Sequence, residues 1–278
     1  MIDALLGRPF LWTSRLKVPA IVGLAVLVCL GVPSIAPSAT PEEAGLQIAK
    51  EADLRAQGFG NFTARQTMIL RNKQGQESRR EIRVRVLEVE GDGDKSLFVF
   101  DEPRDVKGTA FLIHAHQQDD DDQWLYLPAL KRVKRISSSN RSGSFMGSEF
   151  AYEDLGAPEV EKFSYRFLRD EPCGELTCAV SERVPTDRKS GYSRQLVWQD
   201  REELRIWKVE YYDRKDAHLK TLTTDGYQQF LERFWQPGEM SMVNHLTGKS
   251  TVLTWTDYQF GTELNERDFS QTGLRRVR

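Results

Sequence analysis

Cysteine is scarce in this chain, three in 278 residues, and no spacing is the C-x-x-C of a metal or redox site. Histidine is little commoner. His114 and His116 stand at strand spacing beside the acidic run Asp119–Asp122. No third ligand follows at a fixed interval, so a solvated strand end and an acidic turn account for them. There is no P-loop or dinucleotide fingerprint. Gly143-Ser-Phe-Met-Gly147 resembles a G-x-S-x-G elbow only superficially, its serine falling one place early. No pair of carboxylates is set apart for acid–base work. Catalysis, a bound metal and a cofactor are therefore not expected. The formal charge is only −2, which gives no support to a nucleic-acid partner. Sequence repeats, coiled-coil heptads and a low-complexity tail are absent as well.

Long apolar runs are also lacking. The apolar stretch Ile21–Val32 has twelve residues, where a bilayer span needs roughly 20. Arg8, Arg15 and Lys17 precede it, and the small residues Ser34, Ala36, Ser38 and Ala39 follow. Positive, apolar, then small is the order of a secretory signal over residues 1–39. The alternative is a retained inner-membrane anchor, because residues 18–36 carry no charge; Pro19, Pro33 and Pro37 oppose one long spanning helix. Cleavage would remove three bases and one acid, moving the charge from −2 to −4. Cys29 leaves with the signal. Cys173 and Cys178 remain, and an even pair in an exported chain reads as a disulfide across a tight hairpin.

What is present is alternation. After one helix over Glu42–Gln57, stopped at Gly58, the apolar period becomes two. Phe62 to Leu70 alternate with polar partners, and Ile82, Val84 and Val86 alternate with Arg83 and Arg85. Ser96–Phe100, Thr109–His114, Gln123–Leu127, Phe163–Leu168, Cys178–Val184 and Gln195–Gln199 continue the pattern. Leu204–Tyr212, Leu219–Tyr227, Met240–Asn244 and Thr251–Phe260 complete it. Turn residues separate these strands at hairpin spacing, which favours an antiparallel meander. The mature residues, about 240 over 40–278, could form one large β domain or two smaller ones. A sheet of that size must curl, and the helix is available to cover its concave side. Ser137–Ser148, rich in serine and glycine, reads as a long mobile loop.

Charge is segregated in one place. No acid occurs from Gln123 to Ser148, while Lys131, Arg132, Lys134, Arg135 and Arg141 supply five bases. They suit docking to anionic headgroups or to an acidic partner, each contributing about 1 kcal/mol near an anionic membrane.

The run Gln-Trp-Leu-Tyr-Leu-Pro-Ala-Leu-Lys-Arg-Val-Lys-Arg-Ile (123–136), followed by Gly-Ser-Phe-Met-Gly-Ser-Glu-Phe-Ala-Tyr-Glu-Asp-Leu (143–155), resembles the outer-membrane lipoprotein-sorting proteins. These are relatives of the periplasmic lipoprotein carrier LolA. Tyr211-Tyr-Asp-Arg214, Trp235-Gln-Pro237 and Met240-Ser-Met-Val-Asn244 extend the likeness over most of the chain from about Glu42. The resemblance implies a mainly β fold, an unclosed antiparallel barrel with a helical lid over a hydrophobic cavity. It also implies a periplasmic carrier of lipid or lipoprotein acyl chains, working beside an RND/MMPL exporter. A monomer is expected. Candidates for the cavity lining are Phe98, Phe100 and Phe111, with either Trp124 and Tyr126 or Leu125 and Leu127. The competing function is an adaptor of a membrane exporter, with a filled core and no cargo.

Overall fold

Thr40 starts the first element. Its hydroxyl accepts from the Glu43 backbone at 3.2 Å, and the Glu43 carboxylate accepts from the Thr40 backbone at 2.8 Å. With Pro41 at the first turn, this reciprocal cap fixes α1, Pro41–Ala56. In this computed structural model, residues 39–276 are described. The expected signal over residues 1–39 therefore lies outside the described residues but for its last.

Among the described residues fifteen strands follow the helix. The first seven are β1 (Asn61–Arg71), β2 (Glu77–Leu87), β3 (Lys95–Glu102), β4 (Ala110–His114), β5 (Asp122–Leu127), β6 (Arg132–Ile136) and β7 (Phe163–Cys173). The next four are β8 (Leu176–Pro185), β9 (Tyr192–Asp200), β10 (Ile206–Asp213) and β11 (His218–Asp225). Last come β12 (Gln228–Phe230), β13 (Phe234–Gln236), β14 (Glu239–Asn244) and β15 (Ser250–Phe260). All but β12 and β13 join one antiparallel sheet in the order β6-β5-β4-β3-β2-β1-β15-β14-β11-β10-β9-β8-β7. Nearly every neighbour is a sequence neighbour, as hairpin-length loops require. The exceptions are β11 with β14, which skips the hairpin β12–β13, and β1 with β15, which joins the two halves. β6 and β7 are unpaired edges, so the sheet is not closed into a barrel.

The segment 137–162 joins those two edges across the concave side. Phe145, Phe150 and Tyr152 pack into the main apolar cluster with Phe98, Phe100 and Phe111. The Phe145 ring lies 5.1 Å from that of Phe111 and 5.9 Å from that of Phe100. Polar anchors spread along the segment. The Arg80 guanidinium on β2 donates to the Met146 carbonyl at 2.6 Å, and the Glu149 amide donates to Thr251 on β15 at 3.0 Å. Lys220 on β11 pairs with Asp154 at 2.6 Å, both side chains 4% exposed. The expected mobile loop 137–148 is thus a packed plug. Its glycines and serines make the tight turns, and Phe145 supplies the burial that holds it.

Outside the sheet, Leu97, Val99, Ala110 and Leu112 face Phe269 and Leu274 of the C-terminal segment. β3 and β4 are apolar on both faces because both faces are covered. Further along, Cys178, Val180 and Trp198 form another outer cluster. The disulfide Cys173–Cys178 spans the β7–β8 turn, with Cα atoms 5.7 Å apart.

Candidate functional site

Where the plug ends, the concave side stays open. A cavity of about 1300 Å³ extends between α1, the strands β7–β11, and the parts of β1–β3, β14 and β15 that the plug leaves bare. It exceeds the usual small-ligand pocket of roughly 300–1000 Å³. Phe62, Val84, Phe98, Ile113, Leu253 and Trp255 give it an apolar wall. Ala49 and Ala52 of α1 and the hairpin β12–β13 stand at its cover. Aromatic contacts tie that hairpin to the sheet: the Phe230 ring lies 5.0 Å from Tyr258 and 5.2 Å from Phe260.

Gly45 sets how closely α1 approaches. A Cβ there would lie 2.7 Å from the Phe167 backbone nitrogen and 2.8 Å from the Arg166 backbone. The helix therefore rides directly on β7, and Gly45 and Ile48 are its buried residues.

Register decides the alternatives left open by the sequence. Phe111 pairs with Leu125 across β4 and β5, and Leu112 with Trp124. Leu125 and Leu127 therefore point to the concave side, while Trp124 and Tyr126 lie outside, against the C-terminal cluster. Phe98 lines the large cavity. Phe100 and Phe111 are fully buried beneath the plug. Leu125 and Leu127 border a second cavity of about 400 Å³ under the plug, with Ile136 and Tyr152. The five bases divide too. Lys131, Arg132, Lys134 and Arg135 are exposed on or beside the edge strand β6. Arg141 is buried, bonded to Asp120 and Asp187 at 2.8 Å each, and it locks the start of the plug to the β4–β5 and β8–β9 loops. His114 bonds the Phe269 carbonyl at 2.7 Å, and His116 bonds Asp92 at 2.8 Å. Among the described residues no group of three or more His, Cys, Asp or Glu is placed to hold a metal ion.

Carboxylates crowd one part of the cavity wall. Burial, reinforced by neighbouring acids, pushes Asp94 up to about 6. Burial likewise pushes Glu159 up to about 7, against the pull of Lys162. Arg183 also lines the cavity, from β8. Its Nε donates to Gln195 Oε1 at 2.7 Å, and its guanidinium stacks over Phe163 at 4.9 Å. Burial pushes its pKa down, the phenols of Tyr211 and Tyr165 and the Asp154 carboxylate partly opposing. Sequence reasoning missed Arg183. Its neighbours come from β7, β9 and β10, and no motif brings those together before the strands pair.

The sheet forms an unclosed antiparallel barrel around a large cavity, and proteins of known structure share this fold. A family model described as "Uncharacterized protein" matches residues 92–276. The chain is similar to an outer-membrane lipoprotein-sorting protein domain from Vibrio parahaemolyticus, 54% identical, TM-score 0.83, over 84% of this chain and 99% of that one. It is similar to a DUF1329 family protein from Desulfovibrio piger, 28% identical, TM-score 0.81, over 85% and 100%. A LolA superfamily protein from Nitrosomonas europaea, 21% identical, shares the fold with TM-score 0.66 over 84% and 99%. No curated protein matches the chain. The chain belongs to the outer-membrane lipoprotein-sorting protein family and has the LolA-like fold.

Proposed function

We propose that the protein is exported, loses its N-terminal signal, and works in the periplasm as a single-domain, monomeric, non-catalytic carrier of lipid or lipoprotein acyl chains. The cavity of about 1300 Å³ carries the reading, because a sheet of this size could have closed on side chains instead. Its apolar wall accepts methylenes, each contributing roughly 0.8 kcal/mol when it leaves water, so a chain of about 12 gains near 10 kcal/mol. A bilayer offers the same gain. Extraction therefore needs work from elsewhere, and an RND/MMPL exporter is the proposed source. Lys131, Arg132 and Lys134 present charge on or beside an unpaired edge strand, where an acidic exporter surface or anionic headgroups can reach them, while Arg135 beside them is paired with Asp122.

Two charged substitutions test the reading. Trp255 lines the cavity, and Phe100 lies in the filled core. Trp255→Glu should leave a folded protein that no longer takes up a fluorescent fatty acid. Phe100→Glu should abolish folding, since it buries an unpaired charge. Undiminished uptake by a folded Trp255→Glu variant would contradict the assignment of the cavity.

A further inference from the structure

The concave strands pair in rows, and two adjacent rows differ in character. One row runs Tyr165 (β7), Arg183 (β8), Gln195 (β9), Tyr211 (β10) and Lys220 (β11), each opposite the next in register. The row beside it starts at Ser181 and continues through Val197, Val209 and Leu222. A polar belt therefore borders an apolar one, with residues opposite each other about 5 Å apart. The lining is amphipathic, and an all-hydrocarbon ligand would leave the polar belt without partners.

Unspent donors lie in that belt and beside it. Among the described residues six cations line the cavity. Arg55, Arg141, Lys162 and Arg205 pair with carboxylates, and Arg233 donates to the Leu54 and Gln57 carbonyls. Arg183 has no carboxylate within 4.0 Å among the described residues, and its one protein acceptor takes the Nε proton. That leaves the Nη groups, which suit a bidentate oxyanion. Two residues away on the same strand face, the hydroxyl of Ser181 is buried with no hydrogen-bond partner, although the residue lines the cavity and is 4% exposed. A buried hydroxyl left unpaired costs about 1–3 kcal/mol, which an arriving acceptor would recover. Burial raises the pKa of Tyr165 to about 12 and that of Tyr211 further, so both phenols stay protonated and are donors as well.

We propose that Arg183 and Ser181 form an oxyanion subsite, so that the cargo is an amphiphile whose carboxylate or phosphate head lies on this belt while its chain covers Val197, Val209 and Leu222. The proposal rests on the carrier reading and adds the chemistry and orientation of the head. Lys220 belongs to the same row but is already held by Asp154, which leaves Arg183 as the anchor.

The test is competition for the cavity of the whole mature protein, using displacement of a neutral apolar fluorescent probe at pH 8. Competitors are palmitate, methyl palmitate and a monoacylglycerol phosphate. Wild type should prefer the anionic amphiphiles to the ester by about 10- to 100-fold. Arg183→Gln should erase that preference, Arg183→Lys should restore part of it, and Ser181→Ala should reduce it. Palmitate and the phosphate compete in separate arms, and the stronger names the head. Equal binding of acid and ester by wild type would overturn the subsite and leave the carrier standing. Failure to bind the neutral probe and every amphiphile would overturn the carrier reading, and the subsite with it. If Arg183→Gln does not fold, the wild-type ratio and Ser181→Ala decide.

Discussion

At the scale of single residues, the most exacting contacts fasten the plug. Lys220 and Asp154 are buried together at 2.6 Å. Lys220 also donates to the Glu149 carbonyl at 2.9 Å, and the Tyr192 hydroxyl donates to Asp154 at 2.8 Å. Removing one charge strands the other in a dry site, so Lys220→Met should cost about 3–5 kcal/mol in denaturant unfolding. Adding Asp154→Leu should recover much of that, because no stranded carboxylate remains. A single variant within 1 kcal/mol of wild type would show that the pair is not sealed from water. Glu159 offers a second test. Its folded pKa of about 7 lies above the ordinary 4.5. The folded chain therefore keeps a proton that the unfolded chain has lost, and the stability this contributes is full below the unfolded value and lost as pH rises to about 7. Asp94, up to about 6, acts in the same direction. His114 opposes both, since burial lowers its pKa and acid then favours the unfolded chain. The clean readout is a difference: Glu159→Gln should gain in melting temperature over wild type as pH goes from 5 to 8. A difference independent of pH would contradict the burial of that carboxyl.

At the scale of elements, α1 is placed by an absent side chain. Alanine in a helix is favoured over glycine by about 1 kcal/mol, yet at Gly45 it would press on the β7 backbone at 2.7 Å. Backbone cannot swing aside, so Gly45→Ala should lower the melting temperature despite its better propensity, and hydrogen exchange in β7 should quicken. A rise in melting temperature would show that the helix stands further off. Elements are also where the sequence was most legible. Alternation over Phe62–Leu70 and Ile82–Val86 located β1 and β2, and the expected Thr251–Phe260 is β15 less one residue. The hairpin β12–β13 was read as no strand at all. It has three residues on each side and turns through Leu231 and Glu232, both at positive φ, where glycine or asparagine would have been the signal. The plug was misread for a related reason. Serine and glycine dominate residues 137–148, but Phe145, with Phe150 and Tyr152 just beyond, decides where the segment lies.

On the scale of the whole molecule, the difference between a cavity and a core could not be read from the chain. Inward faces were legible as alternation, and every such residue looked like core. Which of them face empty space depends on the pairing of β1 with β15 and on the path of residues 137–162 across the sheet. Both are long-range, and local periodicity does not encode them. The lipoprotein-sorting signature at 123–155 located part of the plug and, of the large cavity, only the stretch where Phe150 and Glu153 to Leu155 line it. The wall comes largely from β7–β11, β14, β15 and α1, where beyond the short stretches at Tyr211 and Met240 no local motif marks the lining. The central claim is that this space holds acyl chains in the cell. Native mass spectrometry of the mature protein, purified from periplasm without detergent, tests it most directly. The protein should carry a bound species that organic extraction releases and that contains acyl chains, with the Trp255→Glu variant recovered empty. A protein recovered without lipid, which also stays lipid-free after incubation with acyl probes and with exporter-containing membranes, would contradict it.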